Sequence, residues 1–241
     1  MKRFAVLATI VVAGLVAGWI YSQRVEELTM QRIADRLYVI FGDGGNTAVF
    51  IKEDGVVLVD TKGGKTAQRI LELVRTVTDK PITHILNTHT HNDHVGGNPF
   101  FPASVEIVAH ANTAARMKEM AEFADPAARH GLPDRIFRDR FTIFEGRDAI
   151  EMFYFGPAHT DGDAFFVFQA LGAMHAGDTF PGPNAIISSG GSAADYPRTM
   201  ARAAATIKDV HTVIPGHAPV ATWRDFLENV ESLQKPPQGP R

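Results

Sequence analysis

Cysteine is missing from all 241 residues. Its absence excludes disulfides, thiolate zinc ligands, a cysteine nucleophile and a lipoprotein anchor cysteine. Any metal here must be held by histidine and carboxylate. A surplus of charge of one sign is also lacking. The formal net charge is −3 with charges interspersed, so the chain carries no electrostatic footprint for nucleic acid. Neither a G-x-S-x-G elbow nor a G-x-x-x-x-G-K-[ST] loop is present, and short periodic repeats are absent. The long apolar run from Phe4 to Tyr21 follows Lys2 and Arg3. That layout, over residues 1–22, is a secretory signal peptide or a signal anchor. The positive flank predicts export of the rest, to the periplasm or another extracytoplasmic space, with membrane contact only through this segment.

What is present reads as one large domain, residues 28–233, followed by a Pro-rich tail, 235–241, expected to be disordered. Strands are expected at 36–41, 47–52, 56–60, 82–87 and 105–108. Val56-Val57-Leu58-Val59 is nearly all apolar, as in a strand buried on both faces. Ala67, Ile70, Leu71, Val74 and Val77 recur at helical spacing, so 65–78 is expected to be a helix. A second helix is expected over 111–123 and an irregular excursion over 124–140. Strands then return at 138–144, 150–155, 164–169 and 173–176. Helices at 196–207 and 222–234 flank a strand at 212–214. Strands grouped on both sides of helices imply an α/β fold, a four-layer αββα sandwich. The halves echo each other: each runs strand, helix, strand and ends at a histidine, His89 in one and His217 in the other.

His89-Thr90-His91-Asn92-Asp93-His94 follows the apolar strand 82–87 directly. Imidazole and carboxylate are ligands for zinc, iron and manganese. Alternate side chains of extended backbone share a face, so His89 and His91 can grip one ion. Asp93 and His94 sit where the chain leaves that face and can reach a second. Three further candidates stand at strand ends beside glycine or proline: His159 in Gly156-Pro157-Ala158-His159-Thr160, Asp178 in Gly177-Asp178, and His217 in Pro215-Gly216-His217. His84, His110, His130, His175 and His211 read as ordinary core or surface residues, with His175 the nearest to a candidate.

These motifs, in this order and over roughly residues 28–233, resemble the metallo-β-lactamase superfamily of dinuclear zinc hydrolases. The resemblance implies one zinc on His89, His91 and His159 and another on Asp93, His94 and His217, with Asp178 bridging and Asp60 orienting a ligand loop. Iron or manganese are possible substitutes. It also implies a metal-bridging hydroxide as nucleophile, with Asp93 orienting it or accepting its proton.

The implied substrate is a small molecule, a cyclic amide or ester of the β-lactam or lactone class. A glyoxalase II-like thioesterase and a mononuclear-iron persulfide dioxygenase are the alternatives. A non-catalytic binding module is disfavoured by the complete ligand set. Asp178 stands where β-lactamases of the family carry cysteine or serine, and a bridging aspartate is the pattern of the lactonase and thioesterase branches. The stretch 179–197 has no lysine or arginine for a substrate carboxylate. Loops 42–46 and 181–192 are expected to face substrate. Asn46, Asn184, Ser188 and Ser189 would offer hydrogen bonds there, and Phe41, Phe180 and Ile186 apolar contact. Plain connecting loops are the other reading of both.

Overall fold

Side chains that alternate between two buried faces build the architecture. The computed structural model describes residues 27–180 and 187–235. The expectations for 1–22, Asn184, Ile186 and 236–241 lie outside the described residues. Seven strands form the first sheet in sequence order: β1 (Thr29–Ala34), β2 (Leu37–Phe41), β3 (Thr47–Ile51), β4 (Val56–Val59), β5 (Ile82–Asn87), β6 (Glu106–His110) and β7 (Arg135–Phe137). Pairing is antiparallel from β1 to β4 and parallel from β4 to β7. The second sheet runs β13 (Ala221–Thr222), β12 (Thr212–Pro215), β11 (Ala173–Gly177), β10 (Phe165–Phe168), β9 (Ile150–Phe153), β8 (Arg140–Ile143). Its one parallel pair is β11 with β12.

Leu37, Val39, Phe50, Val57 and Leu86 of the first sheet meet Ile150, Met152, Phe166, Phe168 and Ile214 of the second. Their neighbours in sequence point outward, as a period of two requires. Ile40, Val49, Val56 and Leu58 pack under helix α1 (Ala67–Arg75) through Ala67, Ile70 and Val74. Phe165, Val167, Met174 and Val213 pack under α4 (Tyr196–Thr206) and α5 (Trp223–Leu233) through Met200, Ala203, Phe226 and Val230. Helices cover both outer faces, so the chain is a four-layer αββα sandwich. Because both faces of β4 and β10 are covered, these strands are apolar throughout.

The echo between halves is a repeated unit. β4, α1 and β5 make one parallel strand–helix–strand crossover, and β11, α4 and β12 make the other.

Three expectations need correction. The segment 124–140 is not wholly irregular: a 3-10 turn at Pro126–Gly131 leads into edge strand β7. Its three residues are too few to show alternation, and Ile136 is 51% exposed. The helix expected over 111–123 ends as α3 (Ala111–Met117). In one continuous helix Met117 and Phe123 would point about 240° apart. The chain unwinds instead, and both residues bury against Val95. Strand β1 escaped prediction because Thr29-Met30-Gln31-Arg32 is a largely exposed edge. Among the described residues, no helix is long and apolar enough to cross a membrane.

Candidate metal centre

Strand ends along one rim deliver the polar residues. β5 ends at Asn87, and the extended chain beyond it carries His89 and His91. At His91 the chain turns into the single-turn helix α2 (Asn92–Val95), where the His91 carbonyl accepts from the N–H groups of His94 and Val95. This turn swings Asp93 and His94 away from the His89–His91 face. His159 comes from the loop between β9 and β10, Asp178 from the end of β11, and His217 from the end of β12.

Two groups of ligand atoms result: His89, His91, His159 and Asp178, and then Asp93, His94 and His217. Within each group the atoms lie within 4.8 Å of one another. His91 Nδ1 is 3.0 Å from His89 Nε2 and 2.9 Å from His159 Nε2. Ligands on one tetrahedral ion at normal zinc–nitrogen length would stand about 3.3 Å apart. In the second group His217 Nε2 is 3.3 Å from His94 Nε2 and 3.2 Å from Asp93 Oδ2.

Asp178 reaches both groups. Its Oδ2 lies 3.4 Å from His159 Nε2 and 3.3 Å from His217 Nε2, and its Oδ1 lies 3.2 Å from His94 Nε2. That Oδ1 is buried and has no hydrogen-bond partner among the described residues. A buried carboxylate oxygen left this way is costly unless a cation takes it. With borderline donors on every side, the residues fit two divalent metal ions.

Electrostatics agree. Burial, then the neighbouring His94, hold His89 well below its ordinary value, and burial with His94 also lowers His91. Both imidazoles are therefore neutral and keep a lone pair. Burial opposes charge on Asp178, but the neighbouring His217 and His94 hold its carboxyl far below the usual carboxylate range. Burial likewise opposes charge on His94, yet the Asp60 charge, the hydrogen bond to Asp60 and the nearby Asp178 carboxylate raise it to about 10. Hydrogen bonds to Asp178 and Asp93 raise His217 to about 9. The carboxylates demand positive charge at this rim, which a proton or a metal cation meets.

Asp60 sits at the end of β4 in left-handed conformation, φ 63°, wholly buried. Its Oδ2 is 2.7 Å from His94 Nδ1, which turns Nε2 toward the cluster. It also accepts from the Thr88 N–H and hydroxyl at 2.8 and 2.6 Å. Thr88 Oγ1 is in turn 3.0 Å from His89 Nδ1. One carboxylate thus orients His94 directly and His89 through Thr88, a residue the motif reading passed over. Its signal was adjacency to His89 alone.

The proposed substrate contacts fall at different places around the centre. Asn46 is buried and committed: its side-chain amide donates to the carbonyls of Pro215 and Ala218, both at 2.8 Å, fastening the loop that carries His217. Ser188 and Ser189 hydroxyls stand 2.7 and 3.3 Å from His91 Nε2, behind the ligand nitrogen. Phe180 is buried against Phe226 in the core, whereas Phe41 and Asn46 both line a cleft beside His217. His175 joins neither group of ligand atoms. It is buried, with Nε2 3.1 Å from the Asn46 carbonyl oxygen.

Glycines of the motifs also have reasons. A Cβ at Gly216 would lie 1.9 Å from Asp178 Oδ1, and one at Gly45 would lie 2.2 Å from the His94 ring. Side chains at either place would occupy the centre itself.

Residues 41–217, well over half of the chain, match the model of the metallo-beta-lactamase superfamily. The chain belongs to that superfamily. A metallo-beta-lactamase from Pontibacter korlensis superposes with a TM-score of 0.76, at 19% identity over 87% of this chain and 100% of that one. The DIM-1 metallo-beta-lactamase superposes at 0.72, with 17% identity over 88% and 99%. At such identities the likeness concerns the fold. By sequence, the chain is 29% identical over 161 residues to the alpha subunit of 2,4-dinitroanisole O-demethylase of Nocardioides sp. (strain JS1661), covering 65% of this chain and 48% of that protein. It is 38% identical over 71 residues to metallo-beta-lactamase domain-containing protein 1 of Rattus norvegicus, covering 28% of each. The chain thus spans about half or less of the length of these curated relatives.

Proposed function

We propose that this superfamily member is an exported dinuclear zinc hydrolase that opens a cyclic amide or ester. The observation that carries the reading is Asp178, whose two oxygens reach both groups of imidazoles. Two bound zinc ions would supply an activated water at neutral pH and a Lewis acid for the substrate carbonyl oxygen. His89, His91 and His159 would hold one ion, Asp93, His94 and His217 the other, with Asp178 shared. Burial of His89, His94 and His159 keeps solvent from the back of the centre. Asp93 and His217, with 44% and 47% of their side chains exposed, are the open side. Asp93 also lines the adjoining cleft, so its carboxylate is the group placed to orient an attacking water or take its proton.

Two ligand groups joined by one aspartate favour this reading over a single-iron dioxygenase. The aspartate at 178 and the lack of lysine or arginine in 179–197 favour a lactone over a β-lactam with its carboxylate. The 2,4-dinitroanisole named for the Nocardioides relative is uncharged, which points the same way.

Metal analysis of the full chain, with turnover of a panel of lactones and β-lactams, tests the proposal. About two equivalents of zinc and ring opening are expected. Asp93→Ala should lower kcat by roughly a hundredfold or more, within the range set by loss of a positioned proton acceptor. Iron with oxygen consumption, or unchanged turnover in Asp93→Ala, would overturn it.

A further inference from the structure

Beside Asp93 a cleft of about 800 Å³ opens toward solvent. It is large enough for a small-molecule arm. Its apolar wall is Pro99, Phe100 and Ala128. Phe100 follows α2 by five residues and is 62% exposed, the most exposed large hydrophobic residue among those described. Its ring lies so close to Gly64 that a Cβ there would stand 2.4 Å away. The ring thus stands in the wall of a cleft that adjoins the open side of the metal centre, where an apolar arm would meet it.

The cleft is also acidic. Besides the ligand Asp93, the carboxylates Asp43, Glu122 and Asp125 line it, against the single lining cation Lys65 among the described residues. The carboxylates are held in place. Glu122 accepts from the Asn92 side-chain amide, and Asp125 accepts from the Ala127 N–H at 2.8 Å. Two other cations near the centre are committed: Arg116 beside His91 is bound to Asp161 through two hydrogen bonds of 2.7 Å, and Lys62 is buried with its Nζ donating to the Gly45 carbonyl. Residues 181–186 add no charge by sequence.

We infer that the Asp93–Phe100 cleft is the subsite for the substrate's side arm, and that it selects an uncharged or cationic apolar arm over an anionic one. This rests on the hydrolase reading above. Phe100 stacks on the arm. Glu122 and Asp125 reject a carboxylate, because like charges brought together on binding are strongly unfavourable. Glu122 is bonded to Asn92, the chain neighbour of Asp93, so selection is made beside the centre and the arm's seating also sets the distance of the scissile bond from it.

Two lactones test it: γ-butyrolactone with a phenylacetyl amide arm, and the same ring with a succinyl arm, which ends in a carboxylate. Their kcat/KM values are measured on the zinc-loaded full chain. Calorimetric titration of the unloaded chain gives Kd without turnover. The phenylacetyl compound should be favoured by about tenfold or more in both. Phe100→Ala should weaken its binding by roughly tenfold while sparing turnover of unsubstituted γ-butyrolactone. Glu122→Gln with Asp125→Asn should narrow the gap by improving the succinyl compound. Turnover with equal or reversed preference would overturn the subsite and leave the hydrolase standing. The expected binding preference with no turnover of any lactone would keep the subsite and overturn the hydrolase. Equal binding of both compounds together with an inert Phe100→Ala would also overturn the subsite.

Discussion

Thr88 shows what motif spacing conceals. The seven candidate ligands and Asp60 were legible because each lies in a short, chemically distinctive string. Thr88 was not, because its role depends on Asp60, 28 residues earlier, meeting it at 2.6 Å. Its hydroxyl donates to Asp60 and can then accept only from His89 Nδ1–H, which fixes the tautomer that aims Nε2 at the centre. Thr88→Val keeps the shape and removes the relay, so zinc affinity should fall about 10–100-fold, with Thr88→Ser restoring it; competition with a chromogenic chelator reads this, and unchanged affinity in Thr88→Val would sink the relay. His175 makes a second case. Burial pushes it down to about 4 from an ordinary 6.5. Between those values the unfolded chain binds a proton that the folded chain does not. Stability is therefore full above about pH 6.5 and falls as pH drops toward 4. At about 1.4 kcal/mol per pH unit the loss is at most on the order of 3 kcal/mol. Urea unfolding at pH 7 and pH 5, with chelator present, should show a smaller acid loss in His175→Gln than in the parent. Identical losses would assign the acid sensitivity elsewhere.

Elements were legible in proportion to their burial. β4, β10 and α1 announce themselves because each must fill a space between layers, and the filling pattern survives in the sequence. β1 and β7 are edges with exposed residues, and α2 is a single turn whose residues are chosen for ligation rather than for helix packing. The end of α3 was misplaced because tertiary burial of Phe123 outweighed local helical periodicity. α5 is the clearest case of local specification. Thr222 accepts from the Asp225 N–H at 3.2 Å while the Asp225 carboxylate accepts from the Thr222 N–H at 2.7 Å, a reciprocal capping box. That cap sets the helix so that Phe226 and Val230 lie on the second sheet. Thr222→Ala should cost about 1 kcal/mol, within the range for lost N-caps. A urea midpoint shift at unchanged slope would report it, and no shift would mean that packing of Phe226 alone holds the helix.

At the scale of the whole molecule, the centre is a junction between sheets. The first sheet supplies His89, His91, Asp93 and His94 from the segment after β5. The second supplies His159, Asp178 and His217. Backbone bonds cross the same rim: Ala164 N–H to the Thr88 carbonyl at 2.8 Å, and Asn46 N–H to the Gly216 carbonyl at 2.6 Å. Asn46 adds its side-chain bonds to Pro215 and Ala218, and His175 reaches its carbonyl oxygen. None of these long-range pairs has a spacing signature, which is why the fastening role of Asn46 was not legible. A metal ion bound across this junction stabilises the fold by mass action, since the unfolded chain cannot present both halves of a ligand set together. At a free zinc concentration a thousandfold above Kd the gain is about 4 kcal/mol. For a domain of this size that corresponds to roughly 10 °C in the thermal midpoint. Chelation should therefore lower the midpoint of the full chain by about that amount, and zinc should restore it. In Asp178→Ala, which leaves each sheet its own imidazoles but removes the shared carboxylate, both the chelator effect and its reversal should shrink to a small fraction. A parent midpoint indifferent to chelator would mean that the apolar interface, the backbone bonds and Asn46 hold the two sheets without metal, and that the ligands converge without contributing to the union of the halves.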